Sequence, residues 1–229
     1  IEAIVAMAAE WQPDRVIAGS HGTEKYCLRI LGSVSEQLFR TLDVPVIAVG
    51  PKVVRRTSRK PRNRRILVPV TFKKDTAAVV RFASAYAYGH DVDTILLHVI
   101  PGLYGQASSA LRASRCRAEM IKRFGGVHQG ETAPTCVVKN GEPTETILQY
   151  ATECGIDLIV LGTVAATAFR PKLVPGTAYG VLSNAPCPIL ILRQSQFASD
   201  AHPGHEDDGH FDDKLEEAAA ATAGHAMSH

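Results

Sequence analysis

The sequence predicts an α/β fold, a doubly wound and mostly parallel sheet with helices on both faces, and three observations carry that expectation. Short runs such as 66–70 and 94–100 are mostly apolar and do not alternate with polar residues, the pattern of strands buried on both faces. Amphipathic stretches of helical period lie between them, so strand and helix take turns along the chain. The third observation is internal: residues 1–50 repeat the pattern of residues 144–193 at an offset of 143.

The elements follow in order. Ile1, Ile4, Val5 and Ala8 share one helical face, and Arg15 to Ala18 reads as a strand. A helix opens at Gly32-Ser33-Val34-Ser35 with Val34, Leu38 and Leu42 inward, and Pro45 to Val49 closes the segment as a strand. Arg65 to Val70 is a strand, Asp75 to Tyr88 a helix with Ala78, Val79, Phe82, Ala85 and Tyr86 as its apolar face, and Asp93 to Ile100 a buried strand. Ser108 to Phe124 is helical and Pro134 to Lys139 strand-like. Glu142 to Cys154 is a helix with Pro143 in its first turn, where the missing N–H costs nothing. Asp157 to Gly162 is a strand, Gly176 to Ser183 a helix and Pro188 to Leu192 the last strand.

In the repeat, Glu2 falls on Glu145, Ile4 on Ile147, Ala8 on Ala151, Asp14 on Asp157, Gly19 on Gly162 and Pro45 on Pro188. Gly32-Ser33 meets Gly176-Thr177 after a slip of one residue. The chain therefore holds a partial first copy over 1–50 and a complete second copy over 66–193, and the first lacks counterparts of 66–143. A run of eight Lys and Arg without an acid marks 51–65 as a basic linker. Residues 194–229, acidic, poor in large apolar side chains and dotted with histidines, are expected to be a disordered tail.

Composition narrows the function. A 229-residue chain with 45% hydrophobic and 21% charged residues and a net charge of +2 is globular, with no global signal for nucleic acid or membrane. No apolar run approaches the roughly 20 residues that a bilayer span needs. The five cysteines form no CxxC pair and fit reduced, buried thiols, which predicts a cytoplasmic protein. The chain opens on Ile1 without a basic, signal-like segment, and reads as processed or truncated.

The sharpest chemistry lies in the first copy. The strand Arg15 to Ala18 runs into Gly19-Ser20-His21-Gly22, and nine residues later Gly32-Ser33-Val34-Ser35 opens a helix. Glycine after a strand admits a ligand close to the backbone, amides at a helix start hold an anion, and Ser33 and Ser35 add hydroxyl donors. A competing reading makes Gly22 and Gly32 loop and capping glycines with Ser33 as an N-cap.

Gly19-x-x-Gly22, nine residues, then Gly32-Ser33 resembles the phosphate-binding signature of the universal stress protein family. The RILVPV strand, the NGEP turn at 140–143 and the ending APCPILIL resemble further landmarks of that family. The resemblance implies a Rossmann-like sheet of five parallel strands in each complete copy, duplicated here as one partial and one complete copy. It also implies that ATP or another adenine nucleotide binds, with Mg2+ as its companion. On that resemblance Gly19, Gly22, Gly32, Ser33, Val34 and Ser35 are the phosphate-side contacts.

The second copy departs from the family's pattern, and its site is expected to be degenerate. After Val70 stands Thr71 where nucleotide-binding members carry an acid, Gly162 is followed by Ala165 in place of the second glycine, and Gly176-Thr177 comes one residue late. Lys73 and Lys74 read as solvated, His98 as a satisfied core histidine, and the tail histidines as at most adventitious metal ligands, so no metal site is expected. No nucleophile with its base stands out.

The resulting expectation is a cytoplasmic, nucleotide-responsive stress protein acting through binding and an as yet unidentified protein partner, without contact to nucleic acid or membrane. A nucleotide-independent dimerisation module and a slow ATP hydrolase are the alternatives. Strands 45–49 and 188–192, each at a sheet edge, are expected to pair with each other as a pseudo-dimer or with another chain as a homodimer.

Overall fold

The computed structural model describes residues 1–19, 33–53, 64–73, 76–90, 92–102, 106–126, 133–163 and 176–193. Most of the basic linker and the whole tail lie outside them. The elements are α1 (Glu2–Trp11), β1 (Val16–Gly19), α2 (Ser33–Thr41), β2 (Val46–Val49), β3 (Arg64–Pro69), α3 (Thr76–Tyr88) and β4 (Val92–Ile100). They continue with α4 (Gln106–Phe124), β5 (Thr135–Asn140), α5 (Pro143–Glu153), β6 (Leu158–Thr163), α6 (Thr177–Asn184) and β7 (Ile189–Arg193).

All strands join one seven-stranded sheet in the order β1-β2-β7-β6-β3-β4-β5. Every neighbouring pair is parallel except β2 and β7, which are antiparallel. The five strands β3 to β7 form the parallel sheet expected of the complete copy. The partial copy does not stand apart from it, because β2 pairs with β7 through Val46↔Ile191, Ile47↔Leu190 and Ala48↔Ile189. The two closing strands thus pair within the chain, and each has a second neighbour on its other side.

The registers show why this joint is possible. In β1 and β2, Val16 pairs with Val46, Ile17 with Ile47 and Gly19 with Val49. In β6 and β7, Ile159 pairs with Ile189, Val160 with Leu190 and Gly162 with Leu192. Each residue of the second set stands 143 places after its counterpart in the first. The β2–β7 ladder is then symmetric about the Ile47↔Leu190 pair, so α1–β1–α2–β2 and α5–β6–α6–β7 are related by a local two-fold. Arg193 clamps the joint, donating from Nη1 to the Leu42 carbonyl at 2.9 Å.

Side-chain alternation divides the core in two. On one face α1, α2, α5 and α6 cover Leu67, Leu97, Ile159, Leu161, Ile189 and Ile191. On the other, α3 and α4 cover Ile66, Val68, Leu96, Val160 and Leu190. Helix faces depart from the sequence expectation in two places. In α1, Val5 and Ala8 pack inward, whereas Ile1 and Ile4 stay exposed beside Met7 and Trp11. In α3 the buried face is Val79, Val80, Ala83 and Ala87, with Phe82 and Tyr86 at its rim and Ala85 exposed. Small residues on the inward face let the helix approach the sheet, and the aromatic rings fill the flank.

Helix α5 starts as its sequence predicts, with Pro143 at the first helical position and the Glu142 carboxylate accepting from the Glu145 N–H at 2.8 Å. Glu142→Ala is expected to cost about 1 kcal/mol, read as a lower urea midpoint with unchanged slope.

Candidate functional site

In sheets of this kind ligands sit beyond the carboxyl ends of parallel strands. Because β2 runs against β7, the carboxyl ends of β1 and β2 lie at the opposite end of the sheet from those of β3 to β7. The described glycines of the two signatures, Gly19 and Gly162, therefore lie at opposite ends of the sheet, and each end is a candidate site.

At the first site β1 ends on Gly19, exposed, and α2 begins at Ser33. Ser35, buried in the first turn of α2, donates its hydroxyl to the Gly19 carbonyl at 2.6 Å. This bond ties the start of α2 to the end of β1, so the helix's free amides and its dipole point out at the place where the strand stops. Ser33 and Val34 supply backbone there, their side chains lie outside the described residues, and so do Gly22 and Gly32. Leu38, Phe39 and Leu42 bury the inner face of α2 and fix its axis.

Among the described residues the flank of this site is open. β1 is an edge strand, and Ile17 is 67% exposed. Its counterpart Val160 is 0% exposed, because β6 has β3 beside it, with Leu67↔Ile159 in register, and α3 above it. Among the described residues nothing takes those two places next to β1.

At the other end Val70 and Thr71 follow β3, Gly162 stands one residue before the end of β6, and Gly176 and Thr177 open α6, while Ala165 lies outside the described residues. Gly162 has a packing role: a Cβ there would overlap Val79 Cγ2 of α3. Gly176 caps α6, with no atom within 4 Å of where its Cβ would stand, and Thr177 is exposed at the first helical position. Thr71 hydrogen-bonds Thr76 through their hydroxyls at 3.1 Å.

A cluster behind Thr71 escaped the sequence reading. His98 is buried, with Nδ1 3.0 Å from the Val70 carbonyl, and its ring lies 4.6 Å from that of Phe72. Arg123 of α4 covers the Phe72 ring and donates to the Phe72 carbonyl at 2.9 Å while pairing with Glu119. His98 is the satisfied core histidine that its apolar strand predicts. The apolar Phe72 amid polar neighbours was the available signal that the turn after β3 is anchored inward.

The thiols of Cys116, Cys136 and Cys187 are buried. Burial pushes the Cys136 thiol up, with Arg117 opposing it. Tyr150 in α5 is pushed up to about 12 by burial and by its hydrogen bond with Cys154, against the pull of Arg65. A phenol whose folded pKa exceeds its unfolded value adds stability that is complete below the unfolded value of 10.0 and is lost as pH rises through about 12. Ultraviolet titration should show a phenol ionising at about 12 that is absent in Tyr150→Phe.

The model of the universal stress protein family matches residues 1–50 and 62–193. The chain belongs to the universal stress protein family. A Thermus aquaticus universal stress protein is 30% identical over 125 residues, which cover 52% of this chain and 89% of that one. Among solved structures, a universal stress protein from Archaeoglobus fulgidus superposes with a TM-score of 0.58 at 20% identity, covering 84% of this chain and 66% of the other. A functionally unknown Pseudomonas aeruginosa protein gives 0.60 at 19% identity, covering 96% and 72%. These structures support the α/β fold of this universal stress protein. Among its described residues no helix is long and apolar enough to cross a membrane.

Proposed function

We propose that this universal stress protein binds an adenine nucleotide, ATP in the first instance, at the carboxyl end of β1, and acts by binding rather than by turnover. The observation that carries this reading is the Ser35 to Gly19 bond, which aims the start of α2 across the end of β1. The backbone at Gly19 and at Ser33, Val34 and Ser35 would meet the phosphates, joined by Gly22 and Gly32 of the intervening loop. Gly19 offers no side chain in the way, and a nine-residue helix is long enough to present a dipole. Mg2+ would arrive on the phosphates.

The second copy acts as scaffold. Thr71 spends a hydrogen bond on Thr76, and the space beside Gly162 is filled by Val79, which a Cβ at Gly162 would overlap. The pairing of β2 with β7 supports reading the chain as a pseudo-dimer, which also favours a second reading, an interaction module that needs no nucleotide. Equilibrium binding of added ATP over the millimolar range separates the two. The nucleotide reading expects weak, saturable binding. Protein that fails to bind added ATP would leave the interaction module.

A further inference from the structure

Helix α4 presents a face that neither core uses. Cys116, Met120 and Phe124 point into the sheet, while on the opposite side Leu111 and Ile121 are 58% and 54% exposed, with the small residues Ser114 and Ala118 exposed between them. The spacing of three, four and three residues makes these four side chains one stripe. Ser114 and Ala118 leave a shallow seat between the two large side chains, wide enough to take an incoming apolar group. Exposed Arg115 and Lys122 border the stripe on one side and exposed Arg117 on the other. Over 110–124 the helix carries Arg112, Arg115, Arg117, Lys122 and Arg123 against Glu119 alone.

One segment of the chain carries the complement of this face. Phe211, Leu215, Ala218 and Thr222 recur at helical spacing, and Asp212, Asp213, Glu216 and Glu217 flank them, against the single Lys214. Such a segment cannot build a core alone, yet it can order on a surface that supplies the missing apolar contacts. Between Arg193, the last residue of β7, and Phe211 lie 17 residues, enough to span roughly 55 Å when extended. From β7 to the strands beneath α4 the path crosses β6 and β3, at roughly 5 Å per strand.

We infer that residues 206–222 dock in cis on the outer face of α4, with Phe211 and Leu215 on the stripe of Leu111, Ser114, Ala118 and Ile121, and their acids paired with Arg115, Arg117 and Lys122. Tethering holds the segment near α4 at an effective concentration on the order of millimolar, which a free acidic partner would have to exceed. The basic linker offers charge of the same sign but no apolar stripe, so it competes only electrostatically.

The test uses the full chain and carbodiimide cross-linking, which joins a lysine to a carboxylate in direct contact. Peptide mapping of the monomeric species is expected to find Lys122 joined to residues 212–217. Leu215→Glu on the segment and Ile121→Glu on the helix should each lower that yield about tenfold, as should about 1 M salt, where the screening length falls to about 3 Å. Amide exchange over 212–222 should quicken in both variants. Cross-links from the acidic segment to Lys52 or Lys60 instead, cross-links confined to dimers, or exchange over 212–222 that is equally fast in all three proteins would overturn the inference. Because Ile121 is exposed, Ile121→Glu should keep the parent's melting temperature to within a few degrees, so misfolding and loss of docking are distinguishable.

Discussion

Gly162→Val is expected to destabilise the protein by about 1–3 kcal/mol, because the new side chain must enter space that α3 already fills. Even the first atom of that side chain would overlap Val79 Cγ2 and stand 3.5 Å from Val79 Cβ. Val79 is buried and β-branched, so it has little freedom to turn away. Val79→Ala in the same chain should recover part of the loss, and urea unfolding of the two single variants and the double variant measures the coupling. Gly19→Ala gives the contrast. That glycine occupies the equivalent place at an exposed edge, so the substitution should leave stability within about 0.5 kcal/mol and act on ligand binding instead.

The same pair of glycines shows how far the sequence could be read. Gly19 and Gly162 align in the repeat, and both end or nearly end a strand, as their positions after apolar runs predict. What differs is the neighbour on the other side of the strand, and that is a long-range fact. The presence of β3 on the far side of β6 from β7, and of no described strand on the far side of β1 from β2, follows from chain order only once the sheet is assembled. The strands and α5 were legible because uninterrupted apolar runs and a Pro143 start are local signals. The rotation of α3 was not, because Ala83 and Ala87 look weaker than Phe82 and Tyr86 to any reading by hydrophobicity, yet small residues are what close contact with a sheet selects. Ser35 was legible as a residue at the start of α2. That its hydroxyl would bond the carbonyl of Gly19, sixteen residues earlier, was not.

The open flank of β1 leads to the second large expected effect. The carboxyl end of β1 is flanked by α2 and β2, but among the described residues the side that α3 and β3 cover in the second copy is bare at Ile17. A site without its supporting shell is poorly preorganised, so ATP affinity of the 229-residue chain should be weak, with Kd ~1 mM, about −4 kcal/mol. Joining a strand–helix half-domain of the kind seen in residues 64–143 ahead of Ile1 should tighten it on the order of a hundredfold, about 2.8 kcal/mol. Unchanged affinity together with a newly buried Ile17 would show that the loop needs no such support.

Which copy holds the nucleotide is decided by titrating ATP calorimetrically into the parent chain, Gly32→Val and Gly176→Val. Placing the site at the carboxyl end of β1 predicts weak binding by the parent, none by Gly32→Val, and binding equal to the parent's by Gly176→Val. Micromolar binding that survives Gly32→Val and disappears in Gly176→Val would contradict it and move the site to the carboxyl ends of β3 and β6.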